Sequence, residues 1–144
     1  MQDQPKGQLK GQLTGMRGVY LVAAQLCQRG FIASPTSRSA QGADLLVTTP
    51  DCSRSYAVQV KTNATTFKFW LVSEKNMSMQ SKTFVYAFVN IKRDNTEFYL
   101  VPSHVVASNI DVAPRSETRK STSYSFYIDH AKKYQDNWKI FEKG

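Results

Sequence analysis

The chain has 144 residues, 41% of them hydrophobic and 12% aromatic, and a formal net charge of +8. This length suits one domain with its own core, and the composition excludes an intrinsically disordered chain. No apolar run approaches the roughly 18 residues of a membrane span. Residues 1–15 contain no apolar signal segment, so we expect a cytoplasmic protein without a membrane partner. The positive charge favours a polyanionic partner, of which nucleic acid is the strongest candidate.

The first part of the chain is predicted to be an arm followed by a helix. Residues 1–13 are polar, and we expect them to form a flexible N-terminal arm, with a single domain over residues 14–144. Within that domain, apolar residues recur at helical spacing across residues 14–29, and Gly30 is well placed to end the helix. Residues 31–34 then favour a short edge strand.

The rest of the chain is predicted to form one sheet with two further helices. A hairpin is expected over residues 42–61, with its turn near Cys52 and Ser53. Residues 84–89 are almost continuously apolar, which indicates a central strand buried on both faces. The other predicted elements are strands over residues 67–72, 98–101 and 124–128, a helix from Pro102, an exposed loop over residues 110–123 and a closing helix over residues 129–141. Strands in one block between helices favour an α/β or α+β fold around one sheet.

Three polar residues meet at one end of the predicted hairpin. Because side chains alternate along a strand, Val58 and Val60 point to one face, and Gln59 and Lys61 point to the other. A turn at the predicted place puts Asp44 roughly opposite Lys61, on the same face as Gln59. Polar groups that converge at one end of an otherwise apolar sheet are a common way to build a metal site, so the hairpin predicts one.

The helix, the hairpin and the strands that follow resemble the PD-(D/E)xK nuclease superfamily over residues 15–110. Asp44 matches the aspartate of the family motif, and Lys61 matches its lysine. Gln59 stands where the family usually has Glu or Asp, a variation seen in enzymes that restrict methylated DNA. The resemblance implies an α/β (α+β) restriction-endonuclease-like fold, with a central mixed β-sheet flanked by helices.

The resemblance also implies a Mg²⁺-dependent endonuclease, with Mn²⁺ as an alternative cation, that hydrolyses DNA phosphodiester bonds. Asp44 is then the anionic metal ligand, and the side chain of Gln59 and the backbone carbonyl of Val60 are further oxygen ligands. Lys61 is expected to orient or activate the attacking water and to stabilise charge on the phosphate. Many family members carry a Glu on the first helix, whereas here no acidic residue lies between Asp3 and Asp44.

With a single anionic ligand, two interpretations stay open. Substrate phosphate can supply the missing negative charge, or the protein is a catalytically inactive nuclease-fold module that binds DNA or another partner. RNA is an open alternative substrate. A homodimer is one way for so small a nuclease to reach both strands, although the sequence indicates no interface.

Four further residues are candidates for nucleic-acid contact. Ser37 and Arg38 precede Asp44 and are equally consistent with an ordinary polar loop. Lys68 lies among aromatic residues, which can stack on bases or pack in the core, and Lys75 follows them. We therefore treat all four as secondary to the three residues of the hairpin.

Overall fold

The structure is a computed structural model that describes residues 6–37 and 42–142. The strands are β1 (Ile32–Pro35), β2 (Leu45–Thr48), β3 (Ser55–Asn63), β4 (Phe69–Val72), β5 (Phe84–Asn90), β6 (Glu97–Pro102), β7 (Ile110–Ala113) and β8 (Ser123–Tyr127). The helices are α1 (Gly7–Gln28), α2 (Ser103–Ser108) and α3 (Ile128–Ala131), with 3-10 turns at Glu74–Met77, Lys132–Tyr134 and Trp138–Phe141. In this part of the chain no helix is both long and apolar enough to cross a bilayer.

The strands form two sheets rather than the one that was predicted. The larger sheet has the order β1-β2-β3-β5-β6, in which β3 and β5 are parallel and the other neighbours are antiparallel. The smaller sheet is antiparallel, with the order β4-β8-β7. The predicted central mixed sheet flanked by helices is therefore confirmed, and the second sheet is an addition to it.

The central sheet separates two apolar cores. On one face, α1 packs against alternate residues of β3, including the buried Val58 and Val60. On the other face, Tyr86 and Phe88 of β5 pack against Trp70 of the smaller sheet. All residues of β5 are buried, as predicted for a central strand covered on both faces.

Three predicted elements differ from the structure. The first helix begins at Gly7, within the segment predicted as an arm, and residues 1–5 lie outside the described residues. The predicted loop contains β7, which is only four residues long and gains its hydrogen bonds from β8. The closing helix is interrupted because Asp136 takes a left-handed backbone conformation (φ 53°) and its N–H donates to the carbonyl of Phe98 at 2.9 Å.

Candidate active site

Asp44 lies directly before β2 and is held by hydrogen bonds to the segments on both sides of it. Its backbone N–H donates to the carbonyl of Val58 at 2.8 Å, and its own carbonyl accepts the N–H of Thr36 at 3.0 Å. The carboxylate oxygen Oδ2 accepts the backbone N–H of Val60 at 2.8 Å. The Asp44 side chain therefore accepts a hydrogen bond from β3 that a backbone carbonyl of a neighbouring strand would otherwise accept. This hydrogen bond fixes the carboxylate against β3.

The predicted register of the hairpin is wrong by two residues. Leu45 pairs with Val58, so one step further along the strands Asp44 lies beside Gln59 rather than opposite Lys61. The turn is centred one residue earlier than predicted, because Asp51 organises it. Asp51 Oδ1 accepts hydrogen bonds from the Thr49 hydroxyl (2.6 Å), the Ser53 hydroxyl (2.7 Å) and the Ser53 N–H (3.1 Å). A shift of two leaves every side chain on its predicted face.

The backbone carbonyl of Val60 lies on the same edge of β3 as the Asp44 carboxylate. The N–H of Ala57 donates to Thr83, and the carbonyl of Asn63 accepts from Ile91, so alternate residues of β3 bond toward β5. Val58 and Val60 occupy the intervening positions, whose N–H and C=O groups point toward β2. The carboxylate and this carbonyl, which are two predicted oxygen ligands, therefore adjoin each other.

Gln59 has the predicted direction, on the face of β3 opposite to Val58 and Val60, and is held by a residue that the sequence interpretation missed. Its side-chain oxygen Oε1 accepts a hydrogen bond from Nδ2 of Asn76 at 3.3 Å. Asn76 is fully buried, and its Nδ2 also donates to the hydroxyl of Tyr86 at 2.7 Å. Burial raises the pKa of Tyr86 to about 12 against the opposing effect of this hydrogen bond, so the phenol stays protonated at neutral pH.

Asn76 is positioned by the 3-10 turn that it helps to cap. Its Oδ1 accepts the backbone N–H of Ser73 at 2.8 Å and the Ser73 hydroxyl at 2.9 Å. The spacing Ser-x-x-Asn is related to the capping box, and this signal in the sequence could have identified the turn. The contact to Gln59 could not be inferred in that way, because it joins segments 17 residues apart.

Lys61 lies on the same face as Gln59 and is half-buried. Burial lowers the pKa of its ammonium group, the negative charge of Asp44 opposes that shift, and the positive charge of Lys75 adds to it. Lys61 thus lies close enough to Asp44 and Lys75 to be influenced by both. The structure therefore brings together Asp44, Gln59, Val60 and Lys61, with Lys75 beside them.

The candidate nucleic-acid contacts have different settings. Ser37 follows β1 and is exposed, and Arg38 lies outside the described residues. Lys68 lies directly before β4 and Lys75 lies in the 3-10 turn Glu74–Met77. Both side chains are exposed. Of the aromatic residues near them, Trp70 belongs to the core, where its indole N–H donates to the carbonyl of Val89 at 2.9 Å.

The available ligand atoms at this site are oxygens, and one of the side chains is anionic. Among the described residues there is no cluster of three or more His, Cys, Asp or Glu residues that could hold a metal ion. A carboxylate, an amide oxygen and a backbone carbonyl suit a hard cation such as Mg²⁺ or Mn²⁺ in chemical type. Their combined charge is low for such a site.

The fold is shared with solved structures, although the sequence matches no family model and no curated protein. One such structure is that of Archaeoglobus fulgidus Hjc at 1.6 Å, a Holliday junction resolvase from an archaeal hyperthermophile. It superposes with a TM-score of 0.53 over 82% of this chain and 92% of Hjc, at 13% sequence identity. This similarity confirms the predicted restriction-endonuclease-like fold.

Proposed function

We propose that the protein is a metal-dependent endonuclease that hydrolyses DNA phosphodiester bonds, with its catalytic centre at Asp44, Gln59 and Lys61. The observation that carries this proposal is the meeting of a fixed carboxylate, a backbone carbonyl and a half-buried ammonium group around residues 59–61 of β3. The fold shared with Hjc, itself a Holliday junction resolvase, is consistent with this activity.

Asp44, the amide oxygen of Gln59 and the carbonyl of Val60 would hold Mg²⁺ or Mn²⁺. An amide oxygen has two lone pairs, so Gln59 Oε1 can accept from Asn76 and still serve as a ligand. When bound, the cation would supply stabilisation of phosphate charge and a more acidic water. Because Asp44 is the one carboxylate in this set, we expect cation affinity to be low until a DNA phosphate adds negative charge.

Lys61 would act on the phosphate and on the attacking water. Its ammonium group can donate hydrogen bonds to a non-bridging phosphate oxygen or to the water, which holds the two reactants together. The lowered pKa makes loss of a proton easier than for an exposed lysine, which suits a role in proton transfer. Lys75 provides a second positive charge near the same phosphate.

A cleavage assay tests this proposal directly. Purified protein is incubated with supercoiled, linear, single-stranded and four-way-junction DNA, and with RNA, in Mg²⁺, Mn²⁺ or EDTA. We expect cleavage that needs the cation and that falls by roughly 10²-fold or more in Asp44→Asn and Lys61→Met. The matched controls are Asp129→Asn and Lys139→Met, which alter exposed residues outside the site and should cleave normally. Full activity of both site variants would contradict the assignment.

The single carboxylate favours one alternative, a nuclease-fold module that binds DNA without cutting it. In that case no substrate is cleaved with any cation, and binding of DNA is equal in the parent and the site variants.

The cleavage products also indicate the oligomeric state. Paired cuts in both strands, together with a dimer in sedimentation, would support the expected homodimer, whereas a monomer should nick one strand.

A further inference from the structure

A cleft of about 580 Å³ lies at the carboxyl ends of β3 and β5, beside the proposed centre but separate from it. Arg17 of α1 lines one side of it. Thr65 and Thr66, from the loop after β3, and Lys92 and Arg93, from the segment after β5, line the rest with two apolar residues. Three cations and two hydroxyl groups therefore face one open space, and none of the described residues that line it is acidic.

The two arginines of this cleft are available to a ligand. Lys92 is paired with Glu97, with 3.1 Å between Nζ and Oε2. The other ion pair between described residues is Lys132–Asp129, so neither Arg17 nor Arg93 is in one. Among the described residues, neither guanidinium group has a hydrogen-bond partner. Arginine presents several donors in a planar fork that matches phosphate oxygens, so an anion could satisfy both groups.

Two asparagine amides, that of the buried Asn90 and that of the half-buried Asn63, hold the walls of the cleft in place. Asn63 and Asn90 are neighbours at the ends of β3 and β5, and Asn63 Nδ2 donates to Asn90 Oδ1 at 3.0 Å. Asn63 Nδ2 also donates to the carbonyl of Phe69 at 2.9 Å, and Asn90 Nδ2 donates to that of Phe67 at 3.3 Å. These contacts fix both ends of the loop that carries the threonines, so little ordering is needed when a ligand binds.

Close packing of α1 on β3 brings Arg17 to the same place. The next residue, Gly18, is buried against Thr62, so that a Cβ atom there would lie 1.7 Å from Thr62 Oγ1. Thr62 follows Lys61 directly, and Thr65 is four residues from Lys61, a span of at most about 14 Å of extended chain. One strand of nucleic acid can therefore reach both places.

We propose that this cleft binds the phosphodiester backbone of DNA at a position away from the bond that is cleaved. Guanidinium and hydroxyl donors recognise phosphate oxygens and provide no base-specific contact, so the cleft should position DNA without selecting its sequence. The identity of the ligand as DNA rests on the function proposed above. The phosphate chemistry rests on the cleft itself.

The test compares two double variants that lose the same charge. Arg17→Gln with Arg93→Gln removes the cleft guanidinium groups, and Lys133→Gln with Lys139→Gln removes two exposed cations elsewhere. Binding to labelled duplex and junction DNA is measured by fluorescence anisotropy in EDTA, which prevents metal-dependent cleavage, over a series of salt concentrations. Melting curves check that both proteins are folded.

We expect the cleft variant to bind on the order of tenfold more weakly. The slope of log K against log salt concentration should fall by about one for each arginine removed. The control should keep both the affinity and the slope close to those of the parent. Equal weakening in the two variants, unchanged binding in the cleft variant or a parent chain that does not bind DNA would each overturn the proposal.

The result is separable from the test of nuclease activity. A chain that binds DNA through the cleft but cuts none of the substrates keeps this site and contradicts the catalytic proposal. A chain whose cleft variant cuts and binds like the parent keeps the catalytic proposal and contradicts this site.

Discussion

At the scale of single residues, the orientation of the Gln59 amide depends on Asn76. The Nδ2 group of Asn76 is shared between Gln59 and Tyr86, while its Oδ1 accepts two hydrogen bonds from Ser73. With Asn76 donating to it, the Gln59 side chain turns its oxygen, not its NH₂ group, toward Asn76. A buried amide thus fixes the Gln59 side chain, and the second lone pair of Oε1 is what Gln59 would offer to a cation.

Asn76→Ala should impair both stability and cation use. Loss of the cap and of the donor to Gln59 should lower the free energy of unfolding by about 1–3 kcal/mol. The Mg²⁺ concentration needed for half-maximal cleavage should rise, because the Gln59 amide becomes free to rotate. Ser73→Ala is the control, since it removes part of the cap and leaves the contact between Asn76 and Gln59. The same Mg²⁺ dependence in both variants would show that Asn76 is only structural.

Lys61 should make the folded protein less stable at neutral pH. Its pKa lies below the ordinary 10.5 in the folded state, mainly because of burial. The unfolded chain therefore binds more protons between the lowered pKa and 10.5, so stability rises with pH across that window. Lys61→Met removes the buried charge. It should raise Tm at pH 7 by roughly 2–4 °C for each 1 kcal/mol gained.

The advantage of Lys61→Met should shrink as the pH rises into that window, because the parent then loses the same charge. Melting curves at several pH values measure this, and Lys139→Met, at an exposed lysine, should show no such pH dependence. A variant that is less stable than the parent at pH 7 would contradict burial as the dominant effect on Lys61.

The sequence predicted the faces of the site residues but not their register. Alternation along β3 is a local property, so the directions of Gln59 and Lys61 followed from their positions alone. The pairing of Asp44 depends on where the turn is centred, which is decided by hydrogen bonds to Asp51. Asn76 was missed because its contacts to Gln59 and Tyr86 form only in the folded chain.

At the scale of elements, α1 and β3 approach each other unusually closely where Gly18 meets Thr62. A Cβ atom at Gly18 would lie 1.7 Å from Thr62 Oγ1 and 2.8 Å from Thr62 Cβ, which is too close for any real contact. The Thr62 hydroxyl is buried and has no hydrogen-bond partner within the described residues. Sterics alone therefore require glycine at this crossing.

Gly18→Ala should destabilise the protein although alanine favours helices. Overpacking costs about 1–3 kcal/mol, which exceeds the gain of about 1 kcal/mol in helix propensity. Gly11→Ala is the matched control on the same helix, because nothing lies within 4 Å of a Cβ atom there. Urea denaturation should therefore show a loss of stability for Gly18→Ala and a gain for Gly11→Ala. Losses in both variants would contradict the steric explanation.

Elements were predictable where one local pattern dominated. The helical period of α1 and the apolar run of β5 identified both, and both are present. β7 is only four residues long and depends on β8 for its hydrogen bonds. The closing segment has the composition of a helix, but Asp136 bonds to β6 instead. In these two cases contacts between distant segments outweighed local preference.

At the scale of the whole molecule, the low charge of the proposed metal site would couple binding of the cation to binding of DNA. One carboxylate at the centre leaves the cation largely uncompensated, whereas a bound phosphate adds negative charge beside it. The net charge of +8 favours a polyanion such as DNA independently of the cation. Cation and DNA should therefore each bind more tightly in the presence of the other, by the same factor.

Thermal unfolding measures this coupling, because a ligand that binds only the folded state raises Tm. A ligand at 100 times its Kd stabilises the folded state by about 2.7 kcal/mol. Mg²⁺ alone should raise Tm very little, because its affinity without DNA is too low for its concentration to approach that multiple of its Kd. DNA alone should raise Tm moderately. Both together should raise Tm by more than the sum of the two shifts, with Ca²⁺ replacing Mg²⁺ if the DNA is cut during the melt.

Asp44→Asn should keep the Tm shift with DNA alone and lose the excess over the sum, because the phosphate contacts remain while the anionic ligand is gone. Strictly additive shifts in the parent, or a large shift with Mg²⁺ alone, would show that the site holds its cation without help from DNA.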